Sequence, residues 1–258
     1  MRCMVDLHIH SCLSPCADDD MTPWNIVGMA KLKGLEAVAV CDHNAVRNLP
    51  GACKAGREYG VCVLPGMEAT SREDVHLLCY FPTLDAAFAM GGLIEKSQVR
   101  IRNKPDLFGR QILVDADDVP LGEEERLLLA ASAMSISEIA KAAWDLGGVM
   151  VPAHINKGAN SLLPVLGLIP ADVALPTVEI VQTMPHCVRG KLCIHASDAH
   201  RLVDIREAEE ACMLELPELS PDAIIAVLRR GKGEALSRFR YIYSTWHRTP
   251  SARVRRTL

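Results

Sequence analysis

The chain has 258 residues, of which 49% are hydrophobic, and a formal net charge of -4 at pH 7. This length suits one large α/β domain or two small ones, and the apolar share is enough for a substantial core. The slightly acidic charge gives no overall reason to expect a nucleic-acid binder, because such proteins usually carry a basic excess. No apolar run is long enough to span a membrane, so we expect no membrane partner.

Ten cysteines are scattered through apolar stretches such as "AVAVCDH" and "HLLCYF". This pattern is typical of small buried hydrophobic residues rather than of a disulfide framework. The first residues enter a strand-like stretch directly, without the basic and apolar regions of a signal peptide. Both features favour a protein of the reducing cytoplasm, and nothing in the sequence indicates its oligomeric state.

Short apolar runs rich in β-branched residues predict seven strands. In chain order they span residues 3–10, 36–43, 61–68, 75–81, 148–154, 177–183 and 192–200. Helix start and stop signals frame residues 22–34, 135–147 and 220–231. Strands that are apolar on both faces and alternate with helices indicate a parallel sheet covered on both sides, as in a barrel or a doubly wound sheet. In both folds, functional residues gather at the carboxyl ends of the strands.

Residues 96–134 interrupt this alternation with a polar, charged segment that is long for a connection in a compact domain. We expect an insertion, formed by a hairpin and a helix, that is either a lid over a functional site or a surface excursion without function. The tail at residues 238–258 is basic and aromatic, and is expected to be a solvated or docked terminus. The whole chain, residues 1–258, is therefore predicted to form a single domain.

Histidines and carboxylates collect at the ends of the predicted strands. They are His8, His10, Asp42, His43, Glu68, His76, His154, Asp198 and His200, with Asp18 shortly after the first strand. A lone histidine is usually a satisfied core residue, but here the pattern repeats from strand to strand. Because the ends of parallel strands converge on one face, the cluster would carry a large desolvation cost without cations.

The mixture of imidazoles and carboxylates, without a thiolate quartet, favours Zn, Mn or Fe over Ca. The candidate ligands exceed the coordination sphere of one ion, so we expect two to three divalent ions. Closely spaced ions of this kind hydrolyse phosphoesters.

Five motifs in order resemble those of the PHP (polymerase and histidinol phosphatase) domain family. They are "DLHIH" (6–10), "CDHN" (41–44), "PGME" (65–68), "PAH" (152–154) and "SDAH" (197–200), and the resemblance spans about residues 3–235. It implies a distorted, TIM-like (β/α)7 barrel, which agrees with the seven predicted strands. It also implies a metal-dependent phosphoesterase.

The resemblance further implies three sets of ligands. His8, His10, Glu68 and Asp198 would hold the first ion, Glu68 would bridge to a second ion bound by His76 and His154, and Asp18, His43 and His200 would hold a third. Asp42 would orient an imidazole from behind. Many family members have "YSDG" after the first motif where this chain has "LSPCADDDMTP", so Asp19 is an alternative to Asp18.

These features predict a hydrolase that acts on a small phosphorylated substrate, such as a nucleotide or histidinol phosphate, through a metal-bound hydroxide. No catalytic residue is needed apart from the ligands. Lys157 and Arg201 follow two of the ligand motifs and are candidates to bind phosphate oxygens, although both could be ordinary surface cations. Two alternatives stay open: a 3'-5' exonuclease-type nuclease that trims nucleic-acid ends, and an inactive, metal-stabilised binding or regulatory domain.

Overall fold

The computed structural model describes residues 1–181 and 185–231, so the tail at 238–258 lies outside the described residues. These residues form ten strands: β1 (Arg2–Ile9), β2 (Ala37–Val40), β3 (Cys62–Thr70), β4 (His76–Tyr80), β5 (Ile112–Val114), β6 (Pro120–Glu123), β7 (Val149–Pro152), β8 (Thr177–Glu179), β9 (Leu192–Ile194) and β10 (Cys212–Glu215). All seven predicted strands are present, at β1 to β4 and β7 to β9.

Seven α-helices accompany the strands. They are α1 (Pro23–Leu32), α2 (Leu49–Tyr59), α3 (Leu84–Ser97), α4 (Pro105–Phe108), α5 (Ile136–Asp145), α6 (Leu162–Leu166) and α7 (Pro221–Arg230). The predicted helix starts are confirmed: Thr22 and Ser220 accept from backbone N–H groups at the first turns of α1 and α7, and Ser135 forms a capping box with Glu138 in α5. No helix within the described part of the chain combines the length and the apolar character needed to cross a membrane.

Six strands form one strongly curled sheet in the order β10, β1, β2, β3, β4, β7, which makes a half-barrel, and β8 and β9 form a separate parallel pair. The expectation of an all-parallel sheet is wrong at two places. β1, β2 and β3 are parallel, but β4 runs antiparallel to both β3 and β7, and β10 runs antiparallel to β1. Residues 71–75 are too few for a parallel crossover, which needs a dozen residues or more, so the chain returns as a hairpin.

Both faces of the curled sheet are buried, as predicted. Val38 and Val40 pack in one cluster with apolar residues of α1 and α2, while Ala37 and Ala39 pack in a second cluster with residues of α7. The hydroxyl of Tyr80 in β4 donates to the Leu7 carbonyl in β1 at 2.8 Å, and this bond passes two intervening strands across the concave side. The fold is therefore an α/β half-barrel with a mixed sheet.

The predicted insertion contains the expected hairpin, β5 with β6, and the short helix α4. It packs beside the loop that follows β1: the Ile112 N–H donates to the Cys12 carbonyl at 2.8 Å, and Arg110 pairs with Asp19 at 2.7 Å. Gly109 lies so close to this loop that a Cβ on it would fall 1.8 Å from the Pro15 carbonyl oxygen. The segment thus supports this loop, and its role as a lid stays a prediction.

Candidate metal centre

His8 and His10 lie at the carboxyl end of β1, and their side chains share one face because strand side chains alternate with period two. Both rings are fully buried, and their Nε2 atoms are 3.1 Å apart. Asp198 Oδ1 lies 3.4 Å from the first Nε2 and 3.3 Å from the second. Two imidazoles and a carboxylate oxygen therefore converge on one point.

Glu68 on β3 is the centre of the cluster and is only 1% exposed. Its Oε2 lies 3.1 to 3.5 Å from nitrogens of His8, His10 and His43, and its Oε1 lies 2.9 and 3.4 Å from nitrogens of His76 and His154. Burial works to raise the pKa of Glu68, but the surrounding imidazoles outweigh it and hold that pKa well below its usual value. An ionised carboxylate therefore lies between two groups of imidazoles.

His76 joins the cluster because β4 is antiparallel. Thr70, the last residue of β3, pairs with His76, the first residue of β4, so the beginning of one strand lies beside the end of the other. In an all-parallel sheet His76, as the first residue of its strand, would lie at the opposite end of the strands from Glu68. The hairpin thus accounts for the place of His76 in the cluster, which the convergence of parallel strand ends could not.

Asp198 and His154 both have positive φ angles, +54° and +27°, which are uncommon for residues other than glycine. The loop before Asp198 is anchored by the Ser197 N–H, which donates to Asp6 Oδ1 at 2.9 Å. Burial works to raise the pKa of Asp198, but His8 and His10 outweigh it and lower that pKa strongly. The strained backbone places both side chains toward the cluster, a feature common at functional sites.

His43 and His200 complete the cluster on the side of His10. The centroid of the His10 ring lies 4.5 Å from that of His43 and 4.3 Å from that of His200. Burial, with the neighbouring imidazoles, lowers the pKa of His43 well below its usual value and that of His200 to about 4. Neutral imidazoles are the form that binds metal ions.

The carboxylate of Asp42 acts on His10 through Ser14. Asp42 accepts hydrogen bonds from the Ser11 N–H, the Ser11 hydroxyl and the Ser14 hydroxyl at 2.6 to 2.8 Å. Ser14 Oγ in turn lies 2.9 Å from His10 Nδ1. Because the hydroxyl donates to Asp42, it can accept from Nδ1–H, which leaves Nε2 free to face the cluster.

Glu179 is a site residue that the sequence analysis missed. It ends β8, is 2% exposed, and has both oxygens 3.2 Å from His8 Nδ1. Its Oε2 also accepts the His154 N–H at 2.6 Å. A carboxylate in the apolar run "TVEIV" was the available signal, because a buried glutamate needs a partner.

The remaining predicted residues have different surroundings. Asp18 has an exposed side chain, and its N–H donates to the His200 carbonyl at 2.9 Å, whereas Asp19 is paired with Arg110. Lys157 Nζ lies 2.6 Å from Asp198 Oδ2 at the cluster. Arg201 instead binds both oxygens of Asp204 at 2.7 and 2.8 Å. The structure therefore brings Lys157 to the cluster and engages the Arg201 guanidinium elsewhere.

The cluster fits divalent metal ions. Both oxygens of Glu68 and Nδ1 of His43 are buried, and although imidazole nitrogens lie as close as 2.9 Å to the carboxylate, none of these three atoms has a partner in hydrogen-bond geometry. This is a costly arrangement that bound cations would relieve. Three groups among the described residues have ligand atoms within 4.8 Å of one another: His8, His10 and Asp198; His43, Glu68 and His76; and His10, His43 and His200. The cluster opens on a cavity of about 290 Å³, whose lining includes Lys157 and Asn160.

The model of the PHP domain matches residues 6–147, which is more than half of the chain. The protein belongs to the PHP family of metal-dependent phosphoesterases. The resemblance predicted from the five motifs is thereby confirmed. The family match ends before His154, Asp198 and His200, so their place in the cluster is known from the structure alone.

Curated relatives of this PHP protein match it over short segments. A DNA polymerase III PolC-type protein of Oceanobacillus iheyensis is 39% identical over 70 residues, which is 27% of this chain and 5% of the polymerase. An uncharacterised protein of Methanocaldococcus jannaschii is 38% identical over 76 residues, which is 26% of this chain and 44% of that protein. The chain thus spans well under two thirds of these relatives.

Solved structures share the fold of this PHP protein over most of its length. The lesion-specific endonuclease EndoQ from Pyrococcus furiosus has a TM-score of 0.68 at 21% identity, covering 90% of this chain and 57% of the endonuclease. A candidate metal-dependent phosphoesterase from Bifidobacterium adolescentis has a TM-score of 0.56 at 20% identity, covering 89% of this chain and 96% of that protein. At this identity the likeness concerns the fold.

Proposed function

We propose that this PHP protein is a metal-dependent phosphoesterase that hydrolyses a small phosphorylated substrate of the nucleotide or histidinol phosphate class. The observation that carries the proposal is Glu68, an ionised buried carboxylate with no hydrogen-bond partner between two groups of imidazoles. A purely structural site would satisfy these oxygens with donors, because an unpaired buried acceptor costs free energy.

The proposed ligands follow the grouping of the side chains. His8, His10 and Asp198 would hold one ion and His76 and His154 a second, with Glu68 shared between the two ions. His43, His200 and Asp18 would hold the third ion. His10 is the alternative to Asp18 as its third ligand, because the His10 ring lies close to the rings of both histidines. We also propose that the curled six-stranded sheet and the β8–β9 pair together correspond to the distorted (β/α)7 barrel of the family.

Zn, Mn or Fe ions bound there would lower the pKa of coordinated water and neutralise charge on a phosphoryl group. The protein's own contribution is to bury and orient the ligands and to bind the substrate. The cluster has more imidazoles than carboxylates, so two or three divalent ions would leave a net positive charge that attracts a phosphate dianion. Lys157 lines the cavity wall and would bind a phosphate oxygen.

A nuclease is the second candidate. It is supported by the sequence relatives among PolC-type DNA polymerases and by the fold shared with EndoQ, which has also been solved in complex with a 27-mer duplex carrying an abasic lesion at its active site. Against it, the chain carries a net charge of -4, whereas nucleic-acid binders are usually basic.

A phosphate-release assay on the metal-loaded protein tests the proposal. The panel contains mononucleotides, nucleoside bisphosphates, histidinol phosphate and short oligonucleotides, with Glu68→Gln as the inactive control. We expect turnover of at least one small monoester or bisphosphate that the control lacks. Cleavage of oligonucleotides alone would favour the nuclease, and no turnover by a fully metal-loaded protein would favour an inactive binding or regulatory domain.

A further inference from the structure

Glu179 contacts two histidines that the proposed function assigns to different metal ions. It lies at the end of β8, outside the curled sheet, and its side chain reaches both His8 on β1 and His154 in the turn after β7. The carboxylate is buried, and both of its oxygens are engaged by these two residues. This one side chain therefore links the two sides of the cluster behind the ligands.

On the side of His8, Glu179 selects the tautomer. A carboxylate 3.2 Å from Nδ1 accepts a proton held there, so the Nε2 lone pair is directed into the cluster. That Nε2 lies 3.4 Å from Asp198 Oδ1 and 3.5 Å from Glu68 Oε2. Glu179 thus orients the ring nitrogen that faces the first position.

On the side of His154, Glu179 acts through the backbone. The His154 N–H donates to Oε2 at 2.6 Å, and the next N–H, of Ile155, donates to the Glu179 carbonyl at 2.9 Å. These two bonds hold the turn after β7, where His154 has its strained φ of +27°. The ring then points at Glu68 Oε1 with Nε2 at 3.4 Å. The position of this ligand depends on the same carboxylate that orients His8.

We propose that Glu179 is a positioning residue that couples the two metal positions on either side of Glu68, so that its loss weakens both. The inference rests on the proposed metal centre but not on the identity of the substrate. Ser161 provides the contrast, because its Oγ lies 3.0 Å from Nδ1 of His154, which belongs to the second position only. Removal of that hydroxyl should affect the second position alone.

The test is a titration of the chelator-stripped full chain with Zn²⁺ by calorimetry, and with Co²⁺ by visible absorption, which reports ligand geometry. Glu179→Gln keeps the shape of the side chain but removes its charge and sets an amide N–H₂ against its partners. We expect it to lower the affinities of two ions roughly 10- to 100-fold each, as is usual when a partner behind a ligand is lost. Ser161→Ala should lower the affinity of one ion only.

Glu179→Asp is a second variant in case Glu179→Gln does not fold, since it keeps the charge and withdraws the carboxylate by one methylene. It too should weaken both ions and change the Co²⁺ spectrum. The proposal is overturned if the folded variants bind both ions within twofold of the wild-type affinities, or if only one affinity falls. A protein that binds the ions as expected but releases no phosphate would contradict the proposed function and leave the coupling intact.

Discussion

Glu68 on β3 and His76 on β4 meet diagonally across the β3–β4 hairpin, with Glu68 Oε1 2.9 Å from His76 Nδ1. The other oxygen of the same carboxylate faces His8, His10 and His43. In the proposed metal centre this one side chain would be shared between two ions, whereas His76 would serve only one of them. This difference leads to distinct expectations for the two residues.

Glu68→Gln should abolish phosphoesterase activity and reduce metal content, because it removes the negative charge that both ions would share. His76→Ala should also lower activity, but excess metal should partly restore its turnover, since it removes one ligand from one ion. Turnover measured against metal concentration for both variants checks this. Wild-type metal content and rate in Glu68→Gln would refute the bridging role.

Lys157→Ala should raise KM with metal content unchanged, because its proposed partner is a phosphate oxygen. The increase should be roughly tenfold, at the lower end of the 1.5–3 kcal/mol of a charged hydrogen bond, because the side chain is 53% exposed. Arg201→Ala is the matched control and should change KM less, since this guanidinium is held by Asp204. Equal effects of the two substitutions on KM would contradict a phosphate-binding role that Lys157 has and Arg201 lacks.

The stability of the chelator-treated protein should fall as pH rises from about 6.5 to about 9. Burial works to lower the pKa of His10, but Asp198 and Glu68 outweigh it and raise it to about 9, and the pKa of His8 is also raised well above its usual value. A histidine whose pKa is raised by folding contributes its full stabilisation at pH values below its unfolded-state pKa of 6.5. This stabilisation is lost as the pH rises past the folded-state pKa.

Metal-loaded protein should show the opposite trend over this interval, because ions and protons compete for the same nitrogens. Melting temperatures of both forms at several pH values provide the measurement. If the two forms had the same dependence on pH, the histidines would not be titrating as the geometry implies.

Gly109→Ala should destabilise the protein by about 1–3 kcal/mol and weaken metal binding, because the new methyl group would clash with the Pro15 carbonyl in the loop that also carries Ser14. Gly122→Ala is the control: it also has a positive φ, +133°, but nothing lies within 4 Å of the added Cβ. Chemical unfolding and metal affinity distinguish the two. Identical losses would mean that backbone strain, not the contact with Pro15, is responsible.

Much of the fold and of the cluster could be predicted because local signals agreed with the tertiary structure. Alternation along β1 placed His8 and His10 on one face, and caps at Thr22, Ser135 and Ser220 marked helix starts. The hairpin between β3 and β4 could also have been predicted, because the gap before residue 75 is too short for a crossover.

Other features depend on contacts between segments far apart in the chain. The alternating burial of β10 is weak over four residues, and its pairing with β1 spans nearly the whole described chain. Glu179 was not predicted because it lies inside the predicted apolar strand 177–183, whereas the convergence of strand ends points to polar residues that follow a strand; in the structure the strand already ends at Glu179. In the structure Lys157 pairs with Asp198 at the cluster, whereas Arg201 pairs with Asp204 away from it. The sequence could not predict this choice, because Asp198 and Asp204 are equally far from Arg201 along the chain.

Metal analysis of the purified full chain, expressed with Zn, Mn and Fe supplements, tests the account most directly. Because the converging side chains exceed one coordination sphere, we predict two to three ions per chain, fewer in Glu68→Gln, and a melting temperature that falls on chelation. At most one ion per chain, with a melting temperature indifferent to chelator, would contradict the multinuclear centre.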